Sequence, residues 1–333
     1  MDPKVSVIVA TYNQADIIGR ALESIVAQQT DFAFEIVIGE DCSEDSTRRV
    51  CLDWQRRYPE LIRLMPEAPN KGITANYFDC LEAARGEYIA DLAGDDRWTR
   101  TDKLQMQADF LDLHPEVSLV HTAWCPVDAA TGRPGDSVVM SFPEIEDGHS
   151  SVVRLLRHDK PQPVHLCTAM YRREDAMRVY GANREFLRSQ MMEDLTLSCL
   201  LLEGSRAGYL PVETLAYSVG GNTVCNPSNA VRMARFYRNS LDVTCRLARM
   251  TATPRRLLSS GLKRHAHYAL SLAIATGRKD EVRSTLIVCR RHKIKMPARS
   301  YIKRAIFMLR NLFPYKGQSL LLYSLYQYSL SMI

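Results

Sequence analysis

The sequence predicts an α/β protein: a mostly parallel sheet flanked by helices, then a C-terminal helical extension. Three observations carry that prediction. Short β-branched apolar runs alternate with amphipathic helical stretches through residues 5–124. The links between them are short, as right-handed crossovers of a wound sheet require. The polar motifs "TYN", "GED", "NKG" and "GDD" all fall at the carboxyl ends of apolar runs or open the next helix, where such sheets bind ligands.

The elements follow in order. "VSVIVA" at 5–10 suits a buried parallel strand. In "ADIIGRALESIVAQQ", Ile17, Ile18, Ala21, Leu22, Ile25 and Val26 share one helical face. "FEIVIGED" reads as the second strand, and "SEDSTRRVCLDWQRRYP" as a helix with Ser and Asp available as caps. "LIRLMPE" is a third strand, "ITANYFDCLEAAR" a helix stopped by Gly86, and "EYIADLA" a fourth strand. "KLQMQADFLDLHP" and "VSLVHTAW" extend the alternation, which loosens through the turn-rich "DAATGRPGD" and the stretch 137–160. "VHLCTAMYR" is a strand candidate, "MMEDLTLSCLLLEG" a helix closed by Gly204, and "AGYLPVETLAYSVGG" one or two strands. From about 229 the pattern is helical only, placing the domain boundary between 1–225 and 226–333.

Composition narrows the function. With 333 residues, 46% hydrophobic and 24% charged, the chain reads as an ordinary globular protein. The charged start "MDPK" and the absence of a cleavage site predict no signal peptide. No apolar run reaches roughly 18 residues, which argues against a spanning helix. The nine cysteines lack CxxC or zinc spacing and read as reduced thiols of a cytoplasmic protein. Charge is segregated. Beyond residue 250 lie 16 Lys and Arg against two acids, leaving the first 250 residues acidic, with 27 basic against 36 acidic. In "RSYIKRAIFMLRNLF", Ile302, Ala305, Ile306, Leu309, Leu312 and Phe313 share one face. Residues 299–333 therefore read either as an amphipathic segment lying on an anionic membrane surface or as a core-facing helix with a solvated basic side. The aromatic residues cluster at the end and do not interleave with the charges, which disfavours nucleic acid as a partner. The missing GxGxxG, GxSxG and Walker lysine disfavour nicotinamide, acyl-transfer and P-loop chemistry.

"VSVIVATYNQADIIGRALESIVAQQ", "IVIGEDCSEDST", "NKGITANY", "GEYIADLAGDDRW" and "MMEDLTL" occur in the order and spacing of family 2 glycosyltransferases, which the first 220 or so residues resemble. The resemblance is to the bacterial branch that builds surface polysaccharides. It implies the GT-A nucleotide-sugar-binding fold, an inverting transfer, a nucleotide-sugar donor (a UDP-sugar foremost), a glycan or lipid-linked acceptor, and Mg²⁺ or Mn²⁺ as cofactor.

The resemblance also implies roles. Asp95 is expected on the metal, with Asp96 beside it near ribose or diphosphate. A departing diphosphate builds negative charge that a divalent cation neutralises, and such cations take hard oxygen ligands. An acidic turn, or a cap for the helix that follows, remains the alternative. Thr11, Tyr12 and Asn13 of "ATYN" and Asp41, flanked by Glu40, are expected to line the base and ribose pocket. Asp41 could instead cap the next helix. Lys71 and Gly72 of "NKG" are expected to reach the nucleotide, although a turn lysine is often merely solvated. Asp194 is expected to be the general base, with Glu193 its neighbour. The alternative there is an acidic first turn favoured by the helix dipole. Two departures stand out: Ala93 replaces the first acid of a DXD triplet, and Gly220 stands where many members carry a histidine. They leave open a non-catalytic relative that keeps the fold as a nucleotide-binding or scaffolding module. His165 either touches the acceptor or packs, and His265 and His267 read as incidental.

Overall fold

In the computed structural model the run VSVIVAT becomes strand β1 (Val5–Thr11), whose burial on both faces is what a central parallel strand requires. The structure describes residues 2–220, 229–298, 300, 303, 305 and 307. Helix α1 (Ile18–Val26) buries Ile18, Ala21, Leu22 and Ile25, the face anticipated from spacing. The alternation continues through β2 (Phe34–Glu40), α2 (Thr47–Arg57), β3 (Ile62–Leu64), α3 (Ile73–Ala83) and β4 (Tyr88–Asp91). These four strands pair in parallel in the order β3-β2-β1-β4.

Beyond β4 the sheet becomes mixed. A two-residue β5 (Arg97–Trp98) leads into α4 (Lys103–Leu113) and β6 (Val117–Asp128). Then come β7 (Ile145–Asp147), α5 (Gly148–Leu156), β8 (Met170–Arg172), α6 (Arg173–Arg188), α7 (Asp194–Leu202) and β9 (Arg206–Val219). Strand β8 runs antiparallel between β4 and β6, and β9 is parallel to β6 but antiparallel to β5 and β7. The parallel arrangement expected from the sequence thus holds for the first four strands.

One stretch folds differently from its sequence reading, and another resolves the choice between one strand and two. "VHLCTAMYR" divides into a 3₁₀ turn, Leu166–Thr168, followed by β8. Side chains capture its backbone before a ladder can. Trp98 Nε1 donates to the Cys167 carbonyl at 3.0 Å and Gln107 Nε2 to the Thr168 carbonyl at 2.9 Å. "AGYLPVETLAYSV" is one continuous strand, its Pro211 accommodated where the register with β6 shifts between Thr122 and Ala123. Helices α5 and α6, and the short β5 and β7, were not anticipated.

By contact the chain divides into two units, Met1–Gly221 and Asn222–Ile333. The second holds α8 (Ala230–Met250), α9 (Arg255–Ala275) and α10 (Lys279–Arg291). Asn229 caps α8 by accepting from Val231 N at 2.9 Å and Arg232 N at 3.0 Å. Within this unit Glu281, nearly fully buried, is held by Arg235 at 2.7 Å and by Arg238. His265 and His267 are buried in α9, with His267 Nδ1 2.7 Å from Ser300 Oγ. The amphipathic segment expected over 299–333 lies outside the described residues, apart from isolated positions.

Candidate active site

The carboxyl ends of β1 and β2 form the first wall. The Asp41 carboxylate, 4% exposed, accepts Lys71 N–H at 2.9 Å on Oδ1 and Gly72 N–H at 2.8 Å on Oδ2. It therefore holds the "NKG" turn, where Gly72 takes φ +85° at the entry to α3, a conformation suited to glycine. Asp41 N–H in turn donates to the Thr11 carbonyl at 3.1 Å. The "TYN" turn is tied to the loop after β2, because Asn13 N–H donates to Ser43 Oγ at 2.9 Å and Asn13 Oδ1 accepts Glu44 N–H at 2.8 Å. Tyr12 stands exposed. Glu40 turns from Asp41 to accept Ser43 N–H at 2.6 Å and to face Arg48 at 3.4 Å. The Lys71 ammonium sits 2.5 Å from Asp79, which Arg188 also holds at 2.7 Å.

The "GDD" loop forms the second wall. Thr11 Oγ1 donates to Gln14 Oε1 at 2.7 Å, and the Gln14 side chain favours the charged form of Asp95. Gly94 is required for this approach: a Cβ there would lie 2.3 Å from Gln14 Oε1 and 3.0 Å from Thr11 Oγ1. From β9, Ser218 N–H donates to Asp96 Oδ1 at 2.8 Å, and the Ser218 hydroxyl donates to the Asp95 carbonyl. Burial raises the Asp95 pKa, opposed by its own backbone N–H and by Gln14. Asp96 is 3% exposed, and its Oδ2 has no hydrogen-bond partner among the described residues. Burial first, then the Asp95 charge, pushes its carboxyl up to about 8. Hydrogen bonds thus link Gly72 through Asp41 and Thr11 to Gln14, and Ser218 joins Asp95 to Asp96.

The third wall is the start of α7. Glu193 precedes the helix and Asp194 opens it, both partly buried. Burial and then the neighbouring Asp194 charge push Glu193 up to about 8. Burial also raises Asp194, but Leu195 N–H at 2.6 Å and the Gln162 side chain stabilise its ionised form. The two carboxyls oppose each other's ionisation, and the hydrogen bonds to Asp194 favour the charge there. Thr74 Oγ1, in the first turn of α3, donates to the Gln190 carbonyl at 2.7 Å and ties this segment to the helix that follows "NKG".

Gln14, Thr74, Gln162 and Ser218 were not anticipated; a single Gln, Thr or Ser carries no periodic or motif signal. Nor was the buried layer behind the loop. Lys103 is fully buried, donates to Gln107 Oε1 at 2.6 Å, and lies 4.4 Å from the Trp98 ring centre. Burial lowers Lys103 to about 7 and raises Asp91, on β4, to about 7. The only sequence signal was a lysine on the inward face of α4, read there as an ordinary helix start. His165 packs between Trp124 at 4.6 Å and Tyr217 at 4.7 Å, and burial lowers it to about 3.

Among the described residues no three His, Cys, Asp or Glu side chains cluster closely enough to hold a metal ion. Two adjacent carboxylates nevertheless fit a cation such as Mg²⁺, which needs one or two protein carboxylates and takes its remaining oxygens from phosphate and water. The partnerless Asp96 Oδ2 and the raised acids at 95 and 96 are what such a site looks like without its positive charge. Asp95 and Asp96 are the residues that would hold it.

Comparison with known proteins bears on the family and the fold. Residues 6–179 match the family model "Glycosyl transferase family 2". The putative glycosyltransferase EpsE of Bacillus subtilis is 30% identical over 213 residues, which is 64% of this chain and 72% of EpsE. The uncharacterized protein Rv1520 of Mycobacterium tuberculosis is 43% identical over 114 residues, 34% of this chain, and the match spans about a third of that relative's length. The crystal structure of S. aureus TarS 1-349 in complex with UDP-GlcNAc superposes with a TM-score of 0.64 at 19% identity, covering 93% of this chain and 87% of that one. The mannosyltransferase PcManGT from Pyrobaculum calidifontis, in complex with GDP-Man and Mn²⁺, gives a TM-score of 0.55 at 20% identity, covering 95% and 89%. These two likenesses establish the GT-A type of fold.

Proposed function

The chain belongs to glycosyl transferase family 2, and from that membership we propose that it transfers a sugar, with inversion, from a nucleotide-sugar donor to a glycan or lipid-linked acceptor in surface-polysaccharide synthesis. The observation that carries this reading is the set of anchored acids at the carboxyl ends of β1, β2 and β4: Asp41 holds the "NKG" turn, and Ser218 fixes Asp95 and Asp96. The nucleotide sugars bound to TarS and PcManGT support that class of donor, a UDP-sugar foremost. Succinoglycan biosynthesis protein ExoO of Rhizobium meliloti, 36% identical over 111 residues, supports the polysaccharide setting.

In this reading Thr11 and Asp41 orient the nucleoside, while Tyr12, Asn13, Glu40, Lys71 and Gly72 shape the turns around it. Asp95, with Asp96 beside it, holds Mg²⁺ or Mn²⁺. When bound, that cation neutralises the charge building on the departing diphosphate. Asp194 removes the proton from the acceptor hydroxyl as that oxygen attacks the anomeric carbon, and the nucleoside diphosphate leaves from the opposite face. Glu193, whose carboxyl burial pushes up, stands beside it. Residues 1–225 perform the transfer and 226–333 form a basic accessory region.

No helix among the described residues is long and apolar enough to cross a membrane. We place the protein in the cytoplasm, with 299–333 contacting the inner face of the membrane.

The test is release of nucleoside diphosphate from a panel of UDP- and GDP-sugars, with Mn²⁺ or Mg²⁺ and again with EDTA. Cation-dependent release from one donor is expected. Nucleotide binding without release from any donor would favour the non-catalytic alternative, motivated by Ala93 and Gly220.

A further inference from the structure

Within the helical unit a cavity of about 230 Å³ opens where three helix ends meet. Arg249 comes from the last turn of α8, Arg255 from the first residue of α9, and Arg291 and Lys293 from the end of α10 and just beyond it. Leu258, fully buried, and Leu262, 4% exposed, form an apolar floor.

The charge around this cavity is not balanced locally. Asp242 is already engaged, 2.7 Å from His292 Nε2 and 3.4 Å from Arg291 Nη1. Arg255 donates to the Lys293 carbonyl at 2.6 Å, an uncharged partner. Among the described residues the side chains of Arg249 and Lys293 meet no carboxylate. Cations at the ends of α8 and α10 gain from the helix dipole. That explains charge at each end, but not its convergence on one concavity, where like charges repel and the field is focused.

We propose that this cavity binds a phosphate ester carrying an apolar chain. Arginine forks match phosphoryl oxygens with paired charge-assisted hydrogen bonds, and the leucine floor takes the first methylenes. The cavity is smaller than the ~300 Å³ at which pockets begin to enclose drug-sized ligands, so it suits a headgroup and not a whole nucleotide sugar. Such an ester reaches the protein either free in solution or as the headgroup of a membrane lipid. The proposal stands apart from the transfer chemistry and survives whatever Asp194 does.

The test uses the full chain with saturating nucleoside diphosphate, so that the other anion site is occupied. One arm titrates octyl phosphate calorimetrically; the other measures flotation with phosphatidylcholine vesicles, with and without phosphatidylglycerol. The variant is Arg249→Gln with Lys293→Asn, the asparagine chosen because Lys293 has φ +50°. Arg283→Gln, an exposed change on α10 away from the cavity, is the charge control. The double variant should bind octyl phosphate at least ~10-fold more weakly while the control is unaffected. Octyl phosphate binding lost in the double variant identifies a soluble ester as ligand. Binding to phosphatidylglycerol vesicles alone, again lost in the double variant, identifies a lipid headgroup. No binding in either arm, or an equal loss in the control, overturns the proposal. If the double variant unfolds, Arg249→Gln alone decides by the same criteria.

Discussion

Ser218 donates its backbone N–H to the Asp96 carboxylate at 2.8 Å while its hydroxyl donates to the Asp95 carbonyl, so the end of β9 carries both residues of the acidic pair. This clamp lies two residues before Gly220, where a family histidine was expected. Backbone and hydroxyl positioning from β9 is therefore present even though the imidazole is not.

The Ser218→Ala protein keeps the amide bond and loses the hydroxyl bond. Losing one net hydrogen bond should cost about 1 kcal/mol of stability. Because the Asp95 backbone then loosens, turnover should fall ~10-fold, in line with misplaced positioning groups. Melting curves and steady-state kinetics on the same preparation check both.

Gly94→Ala separates stability from function differently. The added Cβ meets the end of the Gln14 side chain at 2.3 Å, and a flexible glutamine can swing away. The expected stability loss is at the lower end of the ~1–3 kcal/mol seen for overpacking. Displacing Gln14 removes a neighbour that favours the ionised Asp95, so cation affinity should drop and the Mn²⁺ or Mg²⁺ concentration for half-maximal activity should rise. An unchanged metal requirement would disconnect Gln14 from the site.

Asp96 makes stability depend on pH with a definite sign. Its folded carboxyl lies at about 8, whereas in the unfolded chain it titrates near ~3.9. The folded state therefore binds the proton more tightly. The resulting stability is complete below the unfolded pKa and disappears as pH rises toward the folded one. Glu193, also pushed up to about 8, acts in the same direction. Without cation or nucleotide, Asp96→Asn should melt above the parent protein near pH 8 and match it at acidic pH. A difference that stays constant across that range would contradict the assignment.

Asp41→Ala removes the acceptor of two backbone N–H groups, those of Lys71 and Gly72. Leaving these donors unpaired should cost about 1–3 kcal/mol. Since the same carboxylate is expected to orient the nucleoside, donor KM should rise more than kcat falls. Asp41→Asn, which keeps one acceptor oxygen, should lie between the two.

The first half of the fold was legible because each element there follows a local rule. The apolar runs of β1, β2 and β4 suit strands covered on both faces, and α1 buries the face its spacing selects. The second half obeys tertiary contacts instead. The 3₁₀ turn at Leu166–Thr168 exists because Trp98 and Gln107, distant in sequence, take its carbonyls. Site legibility divides in the same way. Acidic residues at strand ends signal themselves by type and position, whereas Gln14, Thr74 and Ser218 act through hydrogen bonds that only the folded chain reveals. Lys71 illustrates the converse: its motif pointed to the nucleotide, while its ammonium is paired with Asp79 and its backbone N–H with Asp41.

The most direct test of the account is the Asp194→Asn protein, in which asparagine retains the shape and the bond to Leu195 N–H but cannot take up a proton. Donor affinity by calorimetry and sugar transfer to acceptor should be measured together. The account predicts donor affinity within about twofold of the parent and transfer reduced at least ~100-fold, the scale of a lost general base. Transfer at the parental rate would contradict it.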